Sequence, residues 1–520
     1  MLNTEVNEFA AQSNLTQVAS YFDIVDNAVK TGDTNKRYSI STNACNAPAA
    51  PIKAGGWTSV VISPQGDNMC DLYNSFITVT MDVSYQFATP FPAHASVNGS
   101  VGPKCWIGFK DAMDCIEQYQ LVANGQAFYT QSNAIEESYI TSIASTDAVR
   151  KTDIFSKVRH KDAWNGLEGA RIGEIVDASA TGIQTITLEM KIDLRRILPL
   201  SGIRILPKFV GNMELRLKFG TSALVCTPCS IEYCLGSPQN FNKLITNYDA
   251  FKITNKFVPV GTEFTMLKTY ASDAVTVDKN TLYVASSTVQ ACYSHLACFG
   301  LDDNLYQGLV QRYMNESLSF PVQTLSFQGM NGLPGATSCD LTLTATPRFV
   351  DTIFLLLQQT QYHHTCYENP LFEDFTLKMG GYGTMPDVQY SSYSAAFYEM
   401  AANAFNMNND LTGFNKDVMK SLTNDANSQT GHDSNDISNF VMAFPVSTDF
   451  TWQQGQTSNT PITYQLRANF SAGKGSPYAG AATCIPMMGF LKDSVLAIQL
   501  RPAGPPVVAL DEFDITSPAE

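Results

Sequence analysis

The feature that most constrains this chain is an alternation of apolar and polar residues with a period of two. It is clearest in the second half of the segment 75–87, where every second residue is apolar: Val79, Met81, Val83, Tyr85 and Phe87. Successive side chains of a β-strand point to opposite faces, so the pattern predicts a strand with one buried face. Such strands fold stably only when the apolar face packs against another layer.

The same alternation recurs along the chain. It is found in the segments 183–192, 213–219, 341–345, 462–466 and, less regularly, 495–500. The run Ile353–Leu357 is apolar throughout and is typical of a buried strand. Only two short segments, 23–30 and 394–404, predict helices. The chain is therefore predicted to be all-β, with long inter-strand loops that include 141–180 and 406–436, and no apolar run is long enough to predict a membrane span.

The two halves of the chain are weakly similar to each other. Four matches occur in the same order, at offsets between 251 and 258: Asp82–Tyr85 with Asp340–Leu343, Thr89-Pro90 with Thr346-Pro347, Cys115–Tyr139 with Leu371–Ala395, and Leu215 with Leu466. In both copies an apolar strand precedes the third match, Trp106–Phe109 in one and Phe354–Leu357 in the other. The pattern indicates tandem duplication of one β unit.

Each unit has room for eight strands in more than 200 residues. Eight strands in two Greek keys form a jelly roll, so the predicted fold is two tandem eight-stranded jelly rolls with a few short helices. The predicted limits are an N-terminal arm at 1–50, a first jelly roll at 51–265, a second at 266–505 and a C-terminal tail at 506–520. The seam is expected near residues 262–280, where charged residues interrupt the apolar pattern.

Composition restricts the function. Charged residues make up 16% of the 520 residues, against about 25% in ordinary soluble domains. A chain with so little charge must cover much of its surface, in a core or against other subunits. The formal net charge of −15 disfavours a protein whose main task is to grip nucleic acid. The twelve cysteines are irregularly spaced, and they are interpreted as reduced, buried thiols.

Several segments together resemble a known family. They are Val101–Phe109, Tyr119-x-Leu121, Asn124-Gly125, Phe444-Pro445-Val446, Leu491–Leu496 and Gly504-Pro505-Pro506. In this order they resemble the double jelly-roll major capsid proteins of polinton-like viruses, virophages and adenovirus-like lineages. The resemblance implies a homotrimeric, pseudo-hexagonal capsomer in the icosahedral shell of a double-stranded DNA virus. It also implies penton and minor capsid proteins as partners, and assembly in the host cell into virions.

Weak contact with packaged DNA is a further possibility for the basic residues Arg195, Arg196, Arg204 and Lys208, and for the segment Arg150–Lys161. An exposed loop or a subunit contact is the preferred interpretation of both groups. The resemblance implies no catalytic activity.

Candidate metal and catalytic sites are incomplete. Three groups have suggestive spacing: Cys226, Cys229 and Cys234; Cys292, His295 and Cys298; and His363, His364, Cys366 and Glu368, with His432 as the only later histidine. None supplies a full tetrahedral or cupin-like ligand set. The segment Gly380–Gly383 is interpreted as a turn. A glycosidase needs two neighbouring carboxyl groups, and Glu117, Glu136 and Glu137 could supply them only if the fold brings two of them together. We therefore predict no catalytic, cofactor-binding or metal-binding residues and no cofactor.

Two other functions remain open. A carbohydrate-binding or host-attachment protein with a jelly-roll fold would need a concave patch of aromatic residues, whereas Trp57, Trp106, Trp164 and Trp452 are widely spaced. A jelly-roll enzyme would need a complete metal or carboxylate site. Self-assembly into a shell is the preferred interpretation.

Overall fold

The structure is a computed structural model. It describes residues 39–44, 52–53, 55–64, 66–87, 94–96, 99–101, 104–144, 172–177, 180–228, 258–259, 263–265, 279–315, 317–329, 333–334, 338–345, 350–358, 372–380, 388–390, 442–445, 462–470, 483–501 and 504–512.

Strands account for most of the described chain. In chain order they are β1 (Ser39–Ala44), β2 (Ile52–Lys53), β3 (Trp57–Val61), β4 (Met69–Phe87), β5 (His94–Ser96), β6 (Gly99–Val101), β7 (Lys104–Gly108), β8 (Ile116–Ala123), β9 (Gln126–Gln131), β10 (Gly173–Asp177), β11 (Gln184–Asp193), β12 (Ile205–Pro207), β13 (Met213–Phe219), β14 (Val225–Pro228), β15 (Val258–Pro259), β16 (Glu263–Thr265), β17 (Lys279–Phe299), β18 (Leu318–Gly329), β19 (Leu333–Pro334), β20 (Ser338–Ala345), β21 (Val350–Gln358), β22 (Phe372–Gly380), β23 (Val388–Tyr390), β24 (Met442–Pro445), β25 (Ile462–Phe470), β26 (Thr483–Gln499) and β27 (Val507–Glu512). The helices are α1 (Ala134–Ala144), α2 (Leu198–Ser201) and α3 (Asp303–Asn315), with short 3-10 turns at Ala112–Cys115, Leu194–Arg196 and Lys208–Val210.

The first half forms a jelly roll. Its eight principal strands, in chain order, are β1, β3, β4, β8, β9, β11, β13 and β17. They form two antiparallel sheets in the orders β1-β17-β4-β11 and β3-β13-β8-β9. One sheet thus contains the first, eighth, third and sixth strands, and the other contains the second, seventh, fourth and fifth. We call this unit roll 1.

The second half repeats that arrangement. Its eight principal strands run consecutively from β18 to β26, with the short β19 left aside. The sheet orders are β18-β26-β21-β24 and β20-β25-β22-β23, which again place the first, eighth, third and sixth strands together and the other four together. We call this unit roll 2. The identical order in both halves confirms the predicted pair of tandem jelly rolls.

The strand interiors follow the predicted alternation. β4 pairs with β11 over ten residues and with β17 over most of its length. The apolar residues that the alternation placed on one side of these strands are buried: Val79, Met81, Val83, Tyr85, Phe87, Ile186, Leu188, Met190 and Ile192. Burying each such side chain contributes about 1.5–3 kcal/mol, so this sheet is a main source of stability. In roll 2, the ring of Tyr464 on β25 lies 5.5 Å from that of Phe490 on β26, between the two sheets.

The sequence repeat is correct for two of its four matches. β8 aligns with β22, the fourth strand of each roll, and β13 aligns with β25, the seventh of each. The match of Asp82–Tyr85 with Asp340–Leu343 is wrong, because it pairs the third strand of roll 1 with the second of roll 2. Strands repeat every two residues, so neighbouring strands align with almost equal ease. The dipeptides Thr89-Pro90 and Thr346-Pro347 lie outside the described residues.

The flanking apolar segments do not correspond either. Residues 106–108 lie in β7, which is inserted between the third and fourth strands of roll 1, whereas Phe354–Leu357 lies in β21, the third strand of roll 2. In the sequence, the inserted strand β7 of roll 1 was therefore mistaken for the counterpart of β21, a principal strand of roll 2.

Sheet pairing places three segments differently from the expected boundaries. β17 pairs with β4 and β1, so residues 279–299 belong to roll 1 and the seam follows them. β1 is a strand of the first sheet, so residues 39–44 are not part of an arm. β27 pairs with β26, so residues 507–512 are not a free tail. Each segment completes hydrogen bonds that its neighbouring strand would otherwise leave unmade.

The helices were the least predictable elements. α1 and α3 carry no signal that the sequence analysis recognised, and the predicted helices at 23–30 and 394–404 lie outside the described residues. The loop 406–436 and most of 141–180 also lie outside them. Within the described ranges, no helix has the length and apolar character needed to cross a membrane.

Candidate functional site

The long connections of roll 1 build a small sheet of their own, in the order β10-β7-β14-β15. Its strands come from the connections between the third and fourth, fifth and sixth, and seventh and eighth principal strands. Because the principal strands alternate in direction, these three connections leave the same end of the roll. We call this sheet the loop sheet.

Two glycines allow the strands of the loop sheet to approach closely. A Cβ on Gly173 would lie 2.1 Å from the Trp106 ring, and a Cβ on Gly108 would lie 2.3 Å from the carbonyl oxygen of Ile172. The buried Trp106 ring therefore occupies the space that a side chain at residue 173 would need.

A cluster of buried charged groups joins three connections of roll 1, namely the segments before β8, after β9 and after β11. The Arg196 guanidinium donates to both carboxylate oxygens of Asp111, at 2.6 and 2.7 Å. Asp114 accepts from the Ser138 hydroxyl at 3.0 Å and from the backbone N–H of Asp111 at 3.2 Å. Burial, and then the charge of Asp111, raises the pKa of the Asp114 carboxyl to about 8. Burial therefore favours the protonated form of Asp114, and Arg196 neutralises the charge of Asp111.

A second buried carboxylate, Glu137 on α1, joins the two rolls. It accepts from the Tyr119 hydroxyl at 2.7 Å, from Gln131 Nε2 and from the backbone N–H of Leu198 at 3.3 Å. Gln131 Nε2 also lies 2.8 Å from the carbonyl oxygen of Leu325 on β18, in roll 2. Burial raises the pKa of Glu137 to about 7, against the opposing effect of these hydrogen bonds.

The turn between β8 and β9 is a second contact between the rolls. Asn124 has a positive φ of 50° and Gly125 one of 87°, as expected for an Asn-Gly hairpin. The Asn124 amide donates to the carbonyl oxygen of Pro506 at 2.9 Å, and its side-chain oxygen accepts from the Asn212 N–H at 3.0 Å. One side chain therefore ties two turns of roll 1 to the hairpin before β27.

The rolls also touch directly at α2. A Cβ on Gly202 would lie 2.0 Å from the carbonyl oxygen of Pro321 on β18. Apolar residues of roll 2 continue the core of roll 1, namely Leu318, Phe320, Val322, Leu496 and Ile498. The two rolls thus share one apolar cluster.

The carboxylates considered for catalysis do not form a solvent-facing pair. Glu136 and Glu137 are both buried. Glu117 lies 3.6 Å from the Lys218 ammonium and accepts from the Ser222 hydroxyl at 3.3 Å. Sequence reasoning missed the cluster of Asp111, Asp114, Ser138 and Arg196, because its members come from three separate connections with no common spacing.

The candidate metal ligands are separated or lie outside the described residues. Cys292 and Cys298 are buried, whereas His295 is directed to the outer face, where it stacks on Phe76 at 4.7 Å and lies 2.8 Å from the Thr78 hydroxyl. Cys226 lies in β14, and Cys229 and Cys234 fall outside. His363, His364, Cys366, Glu368 and His432 also fall outside, as do Gly381–Gly383. The described ranges contain no group of three or more potential metal ligands.

The predicted basic residues divide into two kinds. Arg196 is bound by Asp111 inside the cluster, so it is neither exposed on a loop, as the preferred interpretation had it, nor available for contact with DNA. Arg195, Arg204 and Lys208 are exposed, on the connection between β11 and β13. The segment Arg150–Lys161 lies outside the described residues.

No protein-family model matches the sequence, and no curated protein matches it either. The fold is similar to several solved structures. For the crystal structure of the mavirus major capsid protein, the TM-score is 0.49 and the identity 9%, over 93% of each chain. For a chain of the Sputnik virophage cryo-EM structure, the TM-score is 0.49 and the identity 9%, over 93% of this chain and 90% of that one. For the crystal structure of PBCV-1 VP54 fitted into a cryo-EM reconstruction of the virophage Sputnik, the TM-score is 0.46 and the identity 11%, over 92% of this chain and 97% of that one. The chain is a double jelly roll by its own strand order, and the structures similar to it come from viral capsids.

Proposed function

We propose that this protein is a major capsid protein. In this proposal it assembles as homotrimeric, pseudo-hexagonal capsomers into the icosahedral shell of a double-stranded DNA virus. The observation that carries the proposal is the presence of two jelly rolls with the same strand order in one chain. Three such chains supply six similar rolls, which can tile a surface hexagonally although each capsomer has only three subunits.

The junction between the rolls supports this role. A building block for a regular shell must hold its two rolls in one orientation. Here the Glu137–Gln131–Leu325 network, the Asn124–Pro506 hydrogen bond and the close contact of Gly202 with Pro321 all connect them. The shared apolar cluster adds non-directional stabilisation to these directional contacts.

The low charge content supports extensive contact between subunits. Permanent interfaces bury about 2,000–5,000 Å² and are more apolar than ordinary surface. The further partners in this proposal are penton and minor capsid proteins, with weak DNA contact through Arg195, Arg204 and Lys208. The protein acts as a structural component of the virion, assembled in the host cell, and not as an enzyme.

The test is the native mass of the full-length protein by light scattering, followed by negative-stain microscopy of the same fraction. One chain has a mass of 56.9 kDa, so a trimer has about 171 kDa (3 × 56.9). A species of that mass with hexagonal or three-lobed projections, or closed shells, is the expected result. A protein that stays monomeric across salt and pH contradicts the proposal, and a glycan-binding screen would then test the attachment-protein alternative.

A further inference from the structure

The first sheet of roll 1 has an outer face that remains open in the single chain. The register of β11, β4 and β17 arranges the outward side chains in rungs of three. The first rung, at the end near the loop sheet, holds Gln86 and Tyr283, and Ile183 is the residue that precedes β11 at this end. The next rungs are Thr185, Ser84 and Ser286; Thr187, Asp82 and Thr288; Glu189, Thr80 and Ala291; Lys191, Thr78 and Tyr293; and Asp193, Phe76 and His295. We call this surface the rung face.

Large apolar groups are exposed at both ends of the rung face. Ile183 is 61% exposed and Tyr283 57% at one end, and Tyr293 is 41% exposed towards the other. These are three of the six large apolar side chains that the described residues leave exposed. The face therefore combines polar rungs in its middle with exposed apolar side chains towards both ends, and exposed aromatic and aliphatic groups of this size are typical of contact sites between proteins.

Most polar groups on the rung face already have partners within it. The Asp82 carboxylate accepts from the Thr187 hydroxyl at 2.7 Å and from Gln290 Nε2 at 2.9 Å. Ser84 and Thr185 share a hydrogen bond of 2.9 Å, and Lys191 lies 3.2 Å from Asp193. Covering groups that are already paired costs far less than covering unsatisfied ones. The face can therefore be buried without a matching pattern of charges on its partner.

The equivalent face of roll 2 shows what covers such a surface. Register places Leu325, Thr352, Phe354 and Leu356 on the side of the β18-β26-β21 sheet that points away from Tyr464. All four are buried within the single chain, so residues of this chain cover that face. Roll 1 and roll 2 thus differ at the same position of the same fold: one face is covered by its own chain and the other is left open.

We propose that the rung face binds a second copy of this chain. This inference rests on the proposed function and assigns one of its interfaces. The chain already carries surfaces that fit the equivalent face of roll 2, and a head-to-tail contact that repeats between copies closes into a ring when the rotation permits. Three strands about 4.8 Å apart and ten residues long give a face on the order of 500 Å². That is more than half of the roughly 800 Å² that each partner of a stable complex buries.

The test compares the native mass of full-length variants by light scattering over a dilution series. Ala291→Arg places a long charged side chain in the middle of the rung face, and Tyr283→Arg changes its exposed end. Met314→Arg is the matched control, because Met314 is 46% exposed on α3, which is not one of the three strands that form this face. Circular dichroism and thermal melting establish that each variant is folded.

We expect Ala291→Arg to weaken association at least tenfold and Met314→Arg to associate like the wild type. If Ala291→Arg does not fold, Tyr283→Arg gives the same readout at a residue that is more than half exposed. If the wild type associates and both rung-face variants associate equally well, the proposed interface is wrong, whereas the proposed function is unaffected. A wild-type protein that never associates would overturn the proposed function and the interface with it.

Discussion

The two rolls have the same strand order but different interiors. In roll 1, three inserted connections bring Asp111, Asp114, Glu137 and Arg196 into the protein, where they bind one another, backbone groups and neutral side chains. The described interior of roll 2 is mainly apolar, as in the run Ile353–Leu357 and the contact of Tyr464 with Phe490. The nearest counterpart in roll 2 is Asp493 beside Asp351, but both are only half-buried, and Asp493 lies on the outer side of the sheet with Gln323 and Leu325.

This difference indicates that the fold itself does not need buried charge. One of these groups, Glu137, lies where the connections of roll 1 meet roll 2, because it bonds to Gln131, which also contacts the carbonyl oxygen of Leu325. The hydrophobic effect is non-directional, whereas hydrogen bonds to a buried carboxylate fix both distance and direction. We infer that Glu137 and its hydrogen bonds help to set the relative placement of the rolls and that apolar burial supplies most of the stability.

The largest expected effect comes from breaking the Arg196–Asp111 pair. Arg196→Met removes the cation that donates to both oxygens of the buried Asp111 carboxylate, and breaking a buried ion pair from one side typically costs about 3–5 kcal/mol. The free energy of unfolding from urea denaturation measures this. Arg195→Met on the adjacent exposed residue is the control and should change it by less than about 0.5 kcal/mol. Equal effects of the two substitutions would show that the buried pair has no special role.

The pH dependence of stability distinguishes the rolls next. Burial raises the pKa of Asp114 to about 8 and that of Glu137 to about 7 in roll 1, and burial together with the charge of Asp351 raises that of Asp493 to about 7 in roll 2. These folded-state values exceed those of the unfolded chain, near 4. The stabilisation is therefore complete below about pH 4 and is lost as pH rises to 7–8.

We therefore expect the free energy of unfolding from these groups to fall between about pH 5 and 8, by up to about 1.4 kcal/mol per pH unit for each proton released. Urea denaturation at several pH values measures the slope. Glu137→Gln and Asp493→Asn should each reduce this slope by up to the contribution of one proton, about 1.4 kcal/mol per pH unit. Glu189→Gln on the exposed rung face should leave the slope unchanged. A slope that is the same in all three variants would contradict the role of the buried carboxylates.

The sequence predicted the strands well because a strand with one buried face has an apolar residue at every second position. The segment 213–219 is a strand with those bounds, and the alternating residues of β4 are buried as expected. It predicted poorly where residues act through distant partners. Arg196 looked like an exposed base because nothing in its neighbourhood identifies Asp111, 85 positions away, as its partner. Residues 507–512, which form β27, were predicted to belong to the C-terminal tail. They pair with one neighbouring strand, β26, and nothing in their own sequence identifies that partner.

The close contact between the rolls at Gly202 gives a smaller effect. Gly202→Ala forces a Cβ against the Pro321 carbonyl oxygen of roll 2, and such overpacking costs about 1–3 kcal/mol. Gly308→Ala on α3 is the matched control, because a Cβ there meets nothing within 4 Å. In a helix interior that change should stabilise the protein by up to about 1 kcal/mol. The melting temperatures of the two variants should change in opposite directions. A change of the same sign would mean that the residues around Gly202 can shift to make room for the added Cβ.

The smallest expected effect is at Asn124, where a hydrogen bond and a strained backbone coincide. Asn124→Gly relieves the positive φ of 50° but removes the bonds to Pro506 and Asn212, so we expect a net loss of about 1 kcal/mol. Asn124→Ala loses the same bonds and keeps the strain, so it should cost about 1 kcal/mol more. Urea denaturation of both variants separates the two contributions. If Asn124→Gly were as stable as the wild type, the link between the turn and the hairpin before β27 would contribute nothing. The placement of the rolls would then depend on Glu137 and on the shared apolar cluster.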